Sequence, residues 1–84
     1  MKKYYEYKNV ALNANKFWEI NLKGKQVFVT YGRIGIDKPA TKEIKSRKLV
    51  KGKLVEVPFK SKEEAKACVE EKIREKINKG YIEK

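Results

Sequence analysis

The hydrophobic pattern is clearest between Lys16 and Gly35, KFWEINLKGKQVFVTYGRIG. Phe17–Leu22 and Val27–Ile34 are rich in aromatic, aliphatic and β-branched residues, with Lys23-Gly24-Lys25-Gln26 between them. Two such runs around a glycine-containing turn predict a β-hairpin. Side chains alternate across a strand, so Trp18, Ile20 and Leu22 share one face of the first run and Glu19 and Asn21 the other. In the second run Val27, Val29, Tyr31 and Arg33 lie opposite Phe28, Thr30, Gly32 and Ile34. Both of its faces are half apolar, which predicts a central strand covered on one side by a helix.

The flanking segments carry weaker patterns. Lys2–Lys8 predicts a short edge strand with Tyr5 and Tyr7 on one face, their rings suited to core and rim packing. Asn9–Asn15 predicts a linking turn in which asparagine side chains bond the backbone. Gly35 and Pro39 make Ile36–Ala40 a loop. Thr41–Lys48 reads as one polar strand: Ile44 is its only clear apolar residue, and Thr41, Glu43, Lys45 and Arg47 share the opposite face. Lys51-Gly52 turns the chain, and Leu54–Phe59 returns with Val55, Val57 and Phe59 on one face; Pro58 cannot donate to a ladder, so the strand ends near it or runs along an edge.

Ser61–Lys79 predicts a helix. Ser61 and Glu64 form a capping-box pattern, and Gly80 is placed to stop it. Ala65, Cys68, Val69, Ile73 and Ile77 recur at spacings of three and four and form an apolar stripe. Tyr81 and Ile82 are expected to fold back on the sheet. The elements predict an α+β fold in a single domain over residues 1–84: a small sheet of four to five strands and one C-terminal helix.

Composition narrows the function. One cysteine and no histidine exclude an intrachain disulfide framework and a Cys/His metal site. Cys68 lies on the apolar stripe and reads as a small buried hydrophobe in a reducing interior. No apolar run approaches the ~20 residues of a membrane span, so the expected setting is the cytoplasm, including the nucleoid, without a membrane partner. The net charge is +11, and nearly all of it lies before Ser61: residues 1–60 carry +10 and residues 61–84 carry +1. A basic sheet is the electrostatic footprint of a polyanion binder.

The candidate chemistry lies at Tyr31-Gly32-Arg33-Ile34-Gly35. A ring beside a glycine can stack on a sugar or base, and a guanidinium two residues on can grip phosphate with a planar fork. Gly32 and Gly35 would let the phosphate backbone approach. Lys23, Lys25, Lys38, Lys45, Arg47 and Lys48 would supply a diffuse positive field. The alternatives are that Tyr31 fills the packed face and that Arg33 pairs with Asp37 or Glu43. The helix is nearly neutral and its apolar side is needed for the core, so backbone contacts are expected rather than base reading. With no histidine, paired-carboxylate motif or phosphate-cradling loop, the chain reads as non-catalytic, without cofactor or metal.

Taken together, KFWEI, the turn, YGRIG and a capped helix ending in KGYIE resemble the WGR domain, found in poly(ADP-ribose) polymerases and in small stand-alone bacterial proteins. The likeness runs from Lys16 to Gly35 and from Phe59 to Glu83. It implies an antiparallel sheet with a helix packed across one face, and DNA binding near strand breaks. It also implies roles for Tyr31, Gly32 and Arg33: the aromatic packs on a terminal nucleotide sugar and the arginine holds DNA and neighbouring domains. Tyr31 stands where the family tripeptide has Trp, and the path from Thr41 to Val57 is longer than usual through the added Lys48–Lys53 turn. The expected partner is nucleic acid, DNA before RNA, bound by a monomer. The alternative is an acidic protein docked on the same basic face.

Overall fold

In the computed structural model, which describes all 84 residues, the chain forms seven strands and one helix. The strands are β1 (Lys2–Asn9), β2 (Ala14–Lys23), β3 (Gln26–Arg33), β4 (Ala40–Ile44), β5 (Ser46–Val50), β6 (Lys53–Val57) and β7 (Ile82–Glu83), and α1 spans Lys62–Asn78. Five strands make an antiparallel sheet in the order β4-β3-β2-β1-β7, and β5 and β6 pair only with each other. This is the α+β arrangement expected, with β3 inside the sheet and α1 across one face.

The β2–β3 register sets Trp18 opposite Tyr31, Ile20 opposite Val29 and Leu22 opposite Val27. Directly opposed residues point to the same side, so the two apolar rows become one surface. β1 adds Tyr5 opposite Trp18, with ring centroids 5.7 Å apart. Phe59, Ala65 and Val69 close this surface from the other side and complete the buried core. The connection expected over Asn9–Asn15 is shorter, between β1 and β2; Asn9 holds it, its Oδ1 accepting from the Leu12 N–H at 3.2 Å, while Asn15 lies in β2 with its buried Oδ1 unpartnered.

Four expectations need correction. Thr41–Lys48 is not one strand. Ile44 already sits opposite Val27 near the start of β3, so beyond it the sheet offers no partner; the chain breaks at Lys45, and β5 pairs with β6 instead. The strand expected over Leu54–Phe59 does end near Pro58, at Val57, but Phe59 is not part of it: Phe59 leaves the strand to enter the core. β1 is not the sheet's last strand, because β7 pairs with it at Tyr5 and Glu6. Finally, Ile77 leaves the apolar stripe and is 53% exposed. A spacing of four residues overshoots the 3.6-residue turn by about 40° per step, so the row from Ala65 through Val69 and Ile73 has swung about 120° by Ile77.

The helix start follows its sequence signature. Ser61 Oγ accepts from the Glu64 N–H at 3.1 Å, and the Glu64 carboxylate accepts from the Lys60 N–H at 3.3 Å. Ala65 and Val69, fully buried, draw this first half of α1 onto the sheet.

Candidate nucleic-acid interface

The second half of α1 behaves differently. As the apolar row rotates away, Lys72 and Lys76 come round to the directions that Ala65 and Val69 hold about two turns earlier. Long cationic side chains do not fill the space against the sheet as leucine would. Their charged heads do not interdigitate with the sheet's apolar row, and the interface stays open. The result is a cleft of about 730 Å³ between the Arg33 end of the sheet and the end of α1. Trp18, Val29, Tyr31 and Ile44 supply its apolar floor, and Tyr81 closes it beyond the helix.

Its charge is strongly one-sided. Lys16, Arg33, Lys42, Lys72, Lys76 and Lys79 line it against a single carboxylate, Glu75, which lies 3.7 Å from Lys72. Lys16 and Arg33 are directly opposed in the β2–β3 ladder, a pairing of like charges that destabilises a sheet unless an anion intervenes. Lys76 Nζ sits 5.6 Å from the Trp18 ring centroid and 5.1 Å from that of Tyr81, within cation–π range. Burial, and then the neighbouring Lys79 and Lys16, hold the Lys76 ammonium below the usual lysine pKa, with Glu75 opposing. Burial raises the Tyr81 phenol in the same corner.

The structure brings together only part of the residue set expected from sequence. Tyr31, Gly32 and Arg33 all line the cleft. Tyr31 does not complete the buried core; it is 42% exposed. Arg33 takes part in none of the three salt bridges, so neither Asp37 nor Glu43 neutralises it. Gly32 has a packing reason as well: a Cβ there would lie 3.2 Å from Ile36 Cγ2, on the side of the sheet away from the helix. The absent side chain lets the Arg33–Ile36 turn fold close, with the Ile36 N–H donating to the Arg33 carbonyl at 3.1 Å.

The remaining basic residues lie elsewhere. Lys23 and Lys25 are at the opposite end of β2 and β3, roughly 20 Å along the strands from Arg33. Lys38 is exposed on the β3–β4 loop outside the cleft. Lys45 and Arg47 line a second cleft of about 720 Å³, where Glu43, Glu56, Glu64 and Glu71 offset the positive charge. Lys48 is on the separate β5–β6 ribbon. Sequence reasoning missed Lys16, Lys42, Lys72, Lys76 and Lys79. The signal for the last three was present, since positions i, i+4 and i+7 share a helix face, but a near-zero charge averaged over the helix concealed it.

Other chemistry is not assembled. No group of three or more His, Cys, Asp or Glu residues is placed to hold a metal. Burial pushes the Cys68 thiol up, away from the reactive thiolate. No helix is long and apolar enough to cross a membrane.

Comparison with known proteins agrees with the geometry. The family model for the WGR domain matches residues 1–84, the whole chain. Among solved structures, the crystal structure of a Bacteroides fragilis protein superposes with a TM-score of 0.77 at 30% sequence identity, covering 100% of this chain. The chain spans 19% of that protein's length. No curated protein matches. With the match complete from end to end and Tyr31-Gly32-Arg33 set at the mouth of a basic cleft, the chain belongs to the WGR domain family of nucleic-acid-binding modules.

Proposed function

We propose that the chain is a non-catalytic DNA-binding module, acting as one unit and as a monomer, that takes the sugar-phosphate backbone into the cleft between its sheet and the end of α1. The observation that carries this reading is the meeting of an exposed ring, an unpaired guanidinium and five lysines in one cleft with one carboxylate. Phosphate oxygens would sit between Lys16 and Arg33 and relieve their mutual repulsion. Arg33 offers a bidentate fork, the helix lysines act as point charges, and Tyr31 offers a face for a sugar or base. A strand end or nick suits a cleft of this form, because a terminal nucleotide reaches the floor without the rest of the duplex having to enter. No element presents a row of polar side chains for base edges, so affinity is expected to come from the backbone and to fall with salt.

The test is fluorescence anisotropy with a labelled duplex bearing a 5′-phosphorylated nick, competed by intact duplex and single strand at low and moderate salt. The nicked duplex should compete best. Arg33→Ala should weaken binding roughly tenfold or more, the scale of a hydrogen bond to a charged group, while the melting temperature holds. A folded Arg33→Ala variant with wild-type affinity would remove the arginine from the site. No duplex binding even at low salt would turn the cleft toward an acidic protein partner.

A further inference from the structure

The β5–β6 ribbon is the one element that neither the sheet nor the cleft accounts for. Its strands bond only to each other. An isolated two-stranded hairpin is marginal in water, and this one leaves Leu49 66% and Leu54 65% exposed, directly opposite each other. Val50 and Val55 on the other face are also exposed. From Ser46 to Val57 the ribbon carries four basic residues and one acidic one, Glu56.

The turn is informative. Lys51 and Gly52 both have positive φ, +50° and +80°, and they alone link the paired residues Val50 and Lys53. This is the narrow two-residue reversal whose first position ordinarily favours asparagine, aspartate or glycine. A lysine stands there instead, at the tip of a ribbon whose strands carry Lys48 and Lys53. Positive charge is therefore concentrated at the tip at some conformational cost. The ribbon's base opens on the same side of the sheet as the basic cleft: Arg47 and Glu56 line the second cleft, which shares Lys42, Ile44 and Lys72 with the first.

We propose that this ribbon is a second DNA-gripping arm that enters a groove of duplex beside the backbone held in the cleft. The major groove admits a two-stranded ribbon. Lys48 and Lys53 leave the ribbon on the face opposite the leucines and would reach the phosphates at the groove rim, Lys51 would meet them from the tip, and the Leu49–Leu54 pair would face the floor. This burial would also give the hairpin the cover it lacks in the free protein. The proposal rests on the reading of the partner as DNA, but it concerns residues outside the cleft and can fail separately.

The test is lysine acylation of the wild-type protein, read by mass spectrometry, with and without intact duplex. Protection of Lys48, Lys51 and Lys53 alongside Lys72 and Lys76 is the expected result. Protection of the cleft lysines alone would overturn the arm and leave the cleft reading in place. Protection of the ribbon alone would overturn the cleft reading and keep the arm. Protection of neither would overturn both, and ribbon protection by phosphatidylserine vesicles but not by duplex would overturn the arm. A second measurement uses Lys51→Asn. It should raise the melting temperature, because asparagine suits the turn, and yet flatten the slope of log K against log salt by about 0.9, the share of one phosphate contact. A stabilised variant with an unchanged slope would also overturn the arm.

Discussion

At the scale of single residues, Lys76 joins stability to binding. Its pKa in the fold lies below the ordinary 10.5 that it regains in the unfolded chain. Between those two values the unfolded chain binds more protons, so stability rises with pH across a window lying below 10.5. A phosphate in the cleft favours the charged form, so affinity should fall as pH rises through the same window. The phenols of Tyr4, Tyr5 and Tyr81 are raised and act in the opposite sense above 10. Urea denaturation between about pH 8 and about pH 10 should show wild-type stability increasing and Lys76→Met flat. An equal rise in both would assign the effect to another group. Tyr31 bears on affinity alone. Because it is exposed rather than core, Tyr31→Ala should leave the melting temperature nearly unchanged and weaken binding by about 1–3 kcal/mol, the range for a stacked base. Tyr31 and Arg33 were legible in the sequence because an aromatic, a glycine and an arginine at these spacings are an unusual way to end a strand. Lys16 was not, because its meaning comes from facing Arg33 across a register that only the paired strands define.

At the scale of elements, α1 has two halves with separate duties. Its first turn is fixed by the Ser61 cap, and Ser61→Ala should cost about 1 kcal/mol in urea denaturation with duplex affinity intact. Loss of affinity in proportion to stability would instead mean that the whole helix, and not its lysine-bearing end, forms the site. The helix limits and cap could be read from the sequence, since they depend on residues three or four apart. The exposure of Ile77 and the inward turn of Lys72 and Lys76 required following the rotation of a four-residue spacing around a 3.6-residue helix. The split of Thr41–Lys48 could not be read locally at all. Nothing in that stretch stops a strand; what ends β4 is the end of its neighbour β3.

At the scale of the whole molecule, charge totals mislead about where the charge acts. The first sixty residues hold nearly all of the net +11, yet the most one-sided cleft draws Lys72, Lys76 and Lys79 from the nearly neutral remainder. Meanwhile Lys45 and Arg47 stand among glutamates, and Lys23 and Lys25 lie at the far end of the sheet. Folding thus sorts a diffuse excess into a cleft, a ribbon and scattered solvated lysines. The most direct test of this sorting compares the salt dependence of duplex binding for the wild type, the triple variant Lys72→Gln/Lys76→Gln/Lys79→Gln and the double variant Lys23→Gln/Lys25→Gln. If the cleft holds the backbone, the triple variant flattens the slope of log K against log salt by about 2–3, close to one unit for each lost phosphate contact, and the double variant leaves it near the wild-type value. Equal flattening per lysine in both variants would contradict the account, because it would mean that the protein attracts DNA through its overall charge and not through this cleft.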